Sequence, residues 1–467
     1  MAGIGFEIRR LLHRESFLGA FRAYAYAGLI GSGPWILSFL GILLIHLLGR
    51  RLGIPPLRIT QFQTSVTYVI AFSLIGSGLL TLTFTRFASD RLFEEKPGVV
   101  SANFLGALTL VTAISGVLGA ALAATLFPQQ TPAFRILLSM AFVIMNGVWL
   151  STSLLSGLKK YLPLVWLFGL GYGVVVAASL SLRAFGVDGL LAGFVLGHFG
   201  ILAGSVGLIL RRYPPEGPPV AFAFLRQGNW YGTLALTGFV YNLAIWADKL
   251  IFWFSPDLGR AVIGPLRASL IYDLPIFLSY ISTLPGMAVF LVRMETDFVE
   301  DYQRFYAAVR EGAALERIEE AKDEMVDTIR QGILEIAKIQ ILGMLFAMVW
   351  GPTLLRWLAI SNLYLPLLYI DVVSAGLQVV FLGLCNVLFY LDKRLTVLGL
   401  SAFLLLANGL FTELSIRQGV GFYGYGFAMA LLLSVLAGLL ALDRSLLHLE
   451  FRTFMPARSA FSLFSRK

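Results

Sequence analysis

Twelve apolar segments, each long enough to cross a lipid bilayer, constrain this chain more than any other feature. A membrane-spanning helix needs about 20 mostly apolar residues, because each residue adds about 1.5 Å along the helix. Only 13 % of the 467 residues are charged, against about 25 % in ordinary soluble proteins. We therefore predict an all-α integral membrane protein with spans at 24–48, 62–85, 103–127, 133–156, 162–182, 187–210, 230–254, 270–292, 333–357, 363–390, 395–414 and 420–442.

The distribution of basic residues predicts which side of the membrane each connection faces. With the N-terminus in the cytoplasm, 25 of the 36 Lys and Arg residues fall in cytoplasmic segments and 9 fall in connections on the other side. Because Lys and Arg are enriched in cytoplasmic loops, this division predicts that both termini are cytoplasmic. It also accounts for the net charge of +9, so the sequence gives no support for binding to nucleic acid.

The spans divide the chain into two halves. We predict a cytoplasmic interfacial helix at 1–22, a first half with six spans at 23–212, a cytoplasmic linker at 213–229, a second half with six spans at 230–442 and an interfacial tail at 443–467. The first segment places apolar and charged residues on different helical faces, which is typical of a helix that lies in the membrane surface.

One connection in the second half differs from all the others. Residues 293–332 contain 11 acidic and 6 basic side chains, and apolar residues recur at helical spacing on both sides of Gly312. This pattern predicts a helical hairpin that projects into the cytoplasm. Two interpretations stay open: a solvated extension of the flanking helices, or a docking platform for a cytosolic partner through Phe298, Tyr302, Phe305 and Val309.

The seventh span, Trp230–Phe254, carries the adjacent charges Asp248 and Lys249. Each charge costs roughly 2.5–3.5 kcal/mol at the centre of a membrane helix, so the pair needs an explanation. One explanation is a polar element that faces a transport cavity. The other is a pair that reaches the membrane surface or binds a neighbouring helix.

Aromatic and amide side chains on the same helix suit contact with a sugar, since rings can stack on pyranoses and an amide can bind hydroxyl groups. Asn242 and Trp246 are therefore candidates for the substrate pathway. For Trp253 we favour membership of the interfacial aromatic belt, and the same explanation stays open for Trp246.

The first span adds a glycine-proline motif that predicts a bend. Proline removes a helical hydrogen bond and glycine permits close packing, and broken helices often line transporter pathways. Packing alone explains the glycines equally well. The predicted hinge consists of Gly31, Gly33 and Pro34. The further candidates for the substrate pathway are Arg22, Tyr24, Tyr26, Trp35 and Asp371.

Signatures of enzymes are missing from the sequence. There is no GxxxxGK[ST] loop, no Cys/His cluster with metal-ligand spacing, and no segment outside the spans longer than roughly 40 residues, below the size of an ordinary domain. We therefore predict no catalytic residues, no metal site and no cofactor. The single cysteine, Cys385, excludes an intramolecular disulfide.

The opening MAGIGFEIRRLLHRES and the motif AYAYAGLIGSGPWILS at 23–38 resemble the PelG family, the inner-membrane transporters of Pel exopolysaccharide systems. The segment NLAIWADKL at 242–250 is similar to polysaccharide transporters related to the multidrug and lipid-linked oligosaccharide flippases. The resemblance implies two six-helix bundles around a central cavity in the bacterial inner membrane. It also implies an amino-sugar polymer as substrate, and a cytosolic glycosyltransferase and a cyclic di-GMP-sensing membrane subunit as partners.

The leading hypothesis is a non-enzymatic exporter of a nascent exopolysaccharide for the biofilm matrix. We expect its cavity between spans one, two, seven and eight. The alternatives are a flippase for a lipid-linked oligosaccharide, an ion-coupled multidrug exporter, and a scaffold that anchors a synthase through the insert at 293–332.

Overall fold

The structure, a computed structural model, consists almost entirely of long helices. It describes residues 17–158, 161–214, 217–226, 228, 230–358 and 361–454. In chain order the elements are α1 Phe17–Arg51, α2 Pro56–Phe93, α3 Pro97–Leu126, α4 Pro132–Gly157, α5 Tyr161–Ser181, α6 Gly186–Arg212, α7 Gly232–Phe254, β1 Arg260–Ile263, β2 Leu266–Ala268, α8 Leu270–Ser279, α9 Leu284–Val292, α10 Phe298–Arg310, α11 Leu315–Trp357, α12 Leu365–Tyr390, α13 Arg394–Gln418, α14 Tyr425–Leu447 and α15 Leu449–Phe454.

The predicted number of membrane spans is confirmed. Eleven helical segments in the described chain are long and apolar enough to cross a bilayer, and α1, with 35 residues, is the twelfth. Helices α8, α9 and α10 together form one of the eleven, which runs from residue 270 to residue 310. The chain is an all-α membrane protein with twelve spanning helices in two bundles.

Prolines start three of these helices. Pro56, Pro97 and Pro132 each occupy the first position of α2, α3 and α4. Proline suits this position because its fixed φ is already helical and its missing N–H would have no partner there. The Thr131 hydroxyl caps α4 by accepting the Phe134 N–H at 3.0 Å.

The two ends of the molecule differ in what they carry. The insert face bears α10 and the first turns of α11. On this face Tyr302 packs on Tyr390, with 5.6 Å between ring centroids. The opposite end bears the β-hairpin, the two-stranded antiparallel sheet of β1 and β2, and we call this end the hairpin face. There the Thr131 hydroxyl binds the Asp188 carboxylate at 2.7 Å.

Each bundle has its own apolar core, and α7 contributes to both. Trp246 and Trp253 belong to the first core, whereas Ala244 and Phe252 belong to the second. The bundles meet where α1 packs on α9 and where α2 crosses α7. At the second crossing a Cβ on Gly78 would lie 2.6 Å from the Gly238 carbonyl oxygen, so only glycine permits this approach.

The insert is a helical hairpin that breaks where the sequence predicts. Helix α10 ends at Arg310, Gly312 adopts a positive φ of 66°, and α11 continues from Leu315 into the membrane without interruption. Phe298 and Phe305 are fully buried in the core of the second bundle, and Tyr302 and Val309 pack against it. These four predicted docking residues therefore face inward. In this conformation of the protein, a partner would contact other parts of the insert.

The predicted hinge lies in a continuous helix, and the described breaks lie in another span. Pro34 lies inside the uninterrupted helix α1, and a Cβ on Gly33 would lie 3.1 Å from Val165 of α5. The eighth span is interrupted instead, by a 3₁₀ segment at Tyr280–Thr283 and a π-turn at Arg293–Asp297. Prolines within α8 and at the start of α9 flank the first of these breaks.

Only part of each predicted interfacial segment lies within the described residues. The described part of α1 starts at Phe17, and residues 17–22 are helical and continuous with the first span. Helix α14 continues to Leu447, beyond the predicted end at residue 442, and α15 follows at once. Residues 1–16 and 455–467, most of the two predicted interfacial segments, lie outside the described residues.

Candidate functional site

A cavity of about 350 Å³ lies between the two bundles, in the half of the molecule near the insert face. Three of its lining residues show this position: Thr237 lies in the first turns of α7, Phe389 in the last turn of α12 and Val397 in the first turn of α13. The lining of the cavity comes from α2, α4, α7, α12 and α13: Leu74, Ser77, Thr81, Leu82, Trp149, Thr152, Ser153, Ser156, Thr237, Gly238, Tyr241, Asn242, Leu382, Cys385, Phe389, Val397 and Ser401.

The lining is neutral, aromatic and rich in hydroxyl groups. None of the described lining residues carries a charge, and serine and threonine hydroxyls extend along the α2 and α4 walls. Trp149 stands on the first-bundle wall and Tyr241 on the second-bundle wall. Such a surface can bind an uncharged ligand that combines ring faces with many hydroxyl groups.

The hairpin face is closed by contacts between the bundles. The ring of Tyr68 in α2 stacks on that of Trp253 in α7 with centroids 4.6 Å apart. The Tyr68 hydroxyl donates to the Arg267 carbonyl at 2.9 Å and accepts the Arg267 N–H at 3.2 Å. Gln61 of α2 also donates to the Val262 carbonyl at 3.4 Å. The β-hairpin is thus tied to the first bundle on the side opposite the cavity.

Trp253 is held in this closed contact from both bundles. Its indole N–H donates to the Asp273 carboxylate at 2.7 Å, and its carbonyl accepts the Arg267 guanidinium at 3.0 Å. Its side chain is 1 % exposed. The expectation that Trp253 belongs to an interfacial aromatic belt is therefore wrong, because a belt residue faces the membrane surface.

Asp248 and Lys249 form a fully buried ion pair inside the second bundle. The Lys249 ammonium lies 3.0 Å from the Asp248 carboxylate, and both residues are at most 2 % exposed. The carboxylate also accepts the Tyr272 hydroxyl at 2.6 Å and the Asn408 amide at 3.2 Å. This network explains how α7 accommodates two charges, since buried charges persist when they are paired and hydrogen-bonded.

The Lys249 ammonium has further partners on α7, on α14 and on the break in the eighth span, where it donates to the Tyr280 hydroxyl at 3.5 Å. It lies 4.7 Å from the Phe427 ring centroid and 5.6 Å from that of Tyr280, and it donates to the Ile245 carbonyl at 3.0 Å. The Tyr280 hydroxyl in turn donates to Gln378 at 3.1 Å. The charge pair therefore connects α7 with α12 and with the interrupted helix.

Asp371 is the exception in this network. It is fully buried in α12, yet neither carboxyl oxygen has a hydrogen-bond partner among the described residues. It interacts electrostatically with Asp248 and Lys249, and a Cβ on Gly424 would lie 2.9 Å from its Oδ1. An unpaired buried carboxyl is costly for stability, and an ionisable residue inside a membrane helix is a candidate for a role in function.

The structure separates the predicted pathway residues. Asn242 lines the cavity, whereas Trp246 packs in the first core and the three charged residues lie in the second bundle. The surroundings of five further predicted residues in α1 lie outside the described part of the structure; these residues are Arg22, Tyr24, Tyr26, Gly31 and Trp35.

Sequence reasoning missed the residues that supply most of the cavity's chemistry. Trp149, Tyr241 and the hydroxyl groups of α2 and α4 carry no motif, and a lone tryptophan in an apolar span gives no signal of its own. Of the four spans expected to line the cavity, spans two and seven do so, whereas spans one and eight supply none of the described lining residues. Helices α4, α12 and α13 supply the rest.

Comparison with known proteins places the chain among membrane transporters. Residues 1–454 match the family described as "PelG: Putative exopolysaccharide Exporter (EPS-E)". No curated protein is significantly similar in sequence.

Solved structures with a similar fold are transporters of the MOP superfamily. An outward-facing multidrug resistance MATE family transporter superposes with a TM-score of 0.63 at 14 % identity, covering 96 % of this chain and 99 % of that one. An inward-facing MATE structure gives 0.56 at 13 % identity, covering 92 % and 96 %. A MOP superfamily transporter from Pyrococcus furiosus gives 0.57 at 14 % identity, covering 96 % and 99 %. At these identities the similarity shows the fold alone.

Proposed function

The chain belongs to the PelG family of exopolysaccharide exporters, and from that membership we propose that it carries a nascent amino-sugar exopolysaccharide from the cytoplasm to the periplasm. The observation that supports this proposal most is the cavity between the bundles. Its described lining is uncharged and combines aromatic rings with hydroxyl groups, a composition that suits N-acetylated hexosamine units. The exported polymer would serve the biofilm matrix.

The distribution of charge supports an orientation for this transport. The insert face carries most of the basic residues, so we assign it to the cytoplasm, with both termini on that side of the bacterial inner membrane. The cavity then lies toward the cytoplasm and the closed contact of Tyr68 with Trp253 lies toward the periplasm. In this interpretation the structure corresponds to an inward-facing state.

Transport then requires the contacts on the hairpin face to separate. The stacked rings and the backbone hydrogen bonds of Arg267 would open while the bundles approach each other on the cytoplasmic side. We assign the two bundles to 23–212 and 230–442, and the connection at 213–229 would link their movements.

Two sources of energy fit the geometry. Elongation of the polymer by a cytosolic glycosyltransferase would push sugar units into the cavity. The insert at 293–332 is the surface nearest to such a partner. An ion gradient would act through Asp371, whose carboxyl has no partner among the described residues. A cyclic di-GMP-sensing membrane subunit completes the complex in this proposal.

A deletion strain tests the proposed function. Loss of this protein should abolish secretion of N-acetylhexosamine polymer, measured with a lectin in the culture medium, and leave drug susceptibility unchanged. Complementation with the full chain should restore secretion. Unchanged secretion combined with increased drug sensitivity would instead favour a multidrug exporter. An accumulation of lipid-linked units would favour a flippase. Loss of the synthase from the membrane would favour a scaffold.

A further inference from the structure

Trp149 is held in a fixed orientation in the cavity wall. It is half-buried in α4, and its indole N–H donates to the Ser73 hydroxyl oxygen of α2 at 2.9 Å. Ser73 is fully buried, and its own O–H donates to the Ile70 carbonyl at 3.1 Å. The donors of both side chains are therefore occupied, and the indole ring presents to the cavity a surface that needs no further hydrogen bond.

The opposite wall presents a second ring in a defined orientation. Tyr241 of α7 lines the cavity and stacks on Phe381 of α12, with centroids 6.4 Å apart and an angle of 14° between the planes. Beside it the Asn242 amide nitrogen donates to the Leu74 carbonyl of α2 at 3.0 Å. The cavity thus has one rigid aromatic surface from each bundle.

We propose that Trp149 is the platform on which a pyranose ring of the substrate stacks, and that Ser73 is the positioning residue that holds it there. This inference rests on the proposed function and specifies its substrate as neutral sugar units. The C–H groups on one face of a pyranose meet the π face of the indole. The sugar hydroxyls meet side-chain oxygens on the same wall. Ser77 and Thr152 donate to the Leu74 and Val148 carbonyls at 3.3 Å and 2.8 Å, so their oxygens accept hydrogen bonds from the sugar, as the Thr81 hydroxyl also can.

Binding of a defined neutral glycan to the purified full chain tests this inference. The probe is the β-1,4-linked tetramer of N-acetylglucosamine, measured by isothermal titration calorimetry in detergent. We expect Trp149→Ala to raise Kd about tenfold, equivalent to about 1.4 kcal/mol, and Trp149→Phe to raise it less because an aromatic face remains. Trp166→Ala is the matched control, since Trp166 is 67 % exposed on α5, and it should bind as the unmodified protein does.

Two further variants keep the test decisive. If Trp149→Ala does not fold, Trp149→Leu replaces it, because leucine fills more of the space without a ring. Ser73→Ala should weaken binding about threefold, and Ser73→Thr, which keeps the hydroxyl, should recover most of the affinity. A role for Ser73 in packing alone would give the reverse order, because the added methyl group strains a fully buried position.

The outcomes separate this inference from the proposed function. Binding of the tetramer by the unmodified protein with equal affinity in Trp149→Ala and Trp149→Leu would overturn the stacking site and leave saccharide transport standing. Failure of the unmodified protein to bind the tetramer, with binding of a cationic dye instead, would overturn both.

Discussion

The buried pair of Asp248 and Lys249 gives a prediction whose size follows from its contacts. In Asp248→Asn the new amide keeps the hydrogen bonds to Tyr272 and Asn408 in altered form, but the Lys249 ammonium loses the carboxylate that lies 3.0 Å away. The Ile245 carbonyl, the Tyr280 hydroxyl at 3.5 Å and two aromatic rings remain near the ammonium, and Asp371 interacts with it electrostatically. Cation–π contacts contribute about 0.5–2 kcal/mol each, less than a buried charge requires.

We therefore expect Asp248→Asn to lower the free energy of unfolding by about 3–5 kcal/mol, the usual cost of an unpaired buried charge. Lys249→Met should cost a similar amount because Asp248 then keeps its charge without a cation. The double variant removes both charges and should lie within about 1 kcal/mol of the unmodified protein, since replacing a whole buried pair is often neutral.

Denaturation of the purified protein in detergent, followed by circular dichroism, measures these differences. Losses that add up in the double variant would refute the reasoning, because they would show that the two charges stabilise the fold independently. A stable double variant also decides what the pair does. Lost secretion at normal abundance would assign the charges to transport, and normal secretion would assign them to structure.

Three further predictions follow from the closed face, the helix crossing and the unpaired carboxyl. Tyr68→Ala removes the stacked ring of the hairpin face, so we expect Cys385 in the cavity to react several times faster with a membrane-impermeant thiol reagent added from the periplasm. Gly78→Leu places a side chain against the Gly238 carbonyl oxygen, and we expect a loss of about 3 kcal/mol or more in a thermal denaturation assay. Asp371→Asn breaks no hydrogen bond among the described residues, so we expect the thermal stability to be unchanged or higher. Because the variant removes the ionisable carboxyl, we expect reduced secretion.

Controls on open parts of the structure accompany these variants. Gly399→Ala, whose Cβ would meet nothing within 4 Å, should leave thermal stability unchanged or slightly higher, because alanine favours the helix more than glycine does. Phe93→Ala, at a side chain that is 85 % exposed, should leave the thiol reaction unchanged. Equal thiol rates with and without Tyr68 would contradict the closed face, and full secretion by Asp371→Asn would exclude its role in coupling.

Much of the fold could be predicted from hydropathy alone. The spans and the break at Gly312 depend on local sequence, namely on apolar length and on a residue that tolerates positive φ. The arrangement in two bundles was implied by the resemblance to the PelG family and not by hydropathy. The interruption at Tyr280–Thr283 was missed because prolines occur in both the first and the eighth span. Sequence does not reveal which proline sits where neighbouring helices permit a break.

The candidate site was less accessible to prediction because it depends on contacts between distant helices. Asp248 binds Tyr272 and Asn408, which lie 24 and 160 residues away, and nothing in the local pattern identifies either partner. Trp253 and Trp149 also show that the position of a tryptophan in the sequence does not reveal its surroundings in the fold. A tryptophan near a helix end is buried in a contact between bundles, and one inside an apolar helix lines the cavity.

Transport of a neutral glycan by the purified protein tests the central claim most directly. The full chain is reconstituted into proteoliposomes, and passage of the radiolabelled tetramer of N-acetylglucosamine is compared with passage of a cationic dye. Saccharide transport predicts saturable movement of the tetramer in protein-containing vesicles, none in empty vesicles, and no movement of the dye. Movement of the dye with exclusion of the tetramer would contradict the claim.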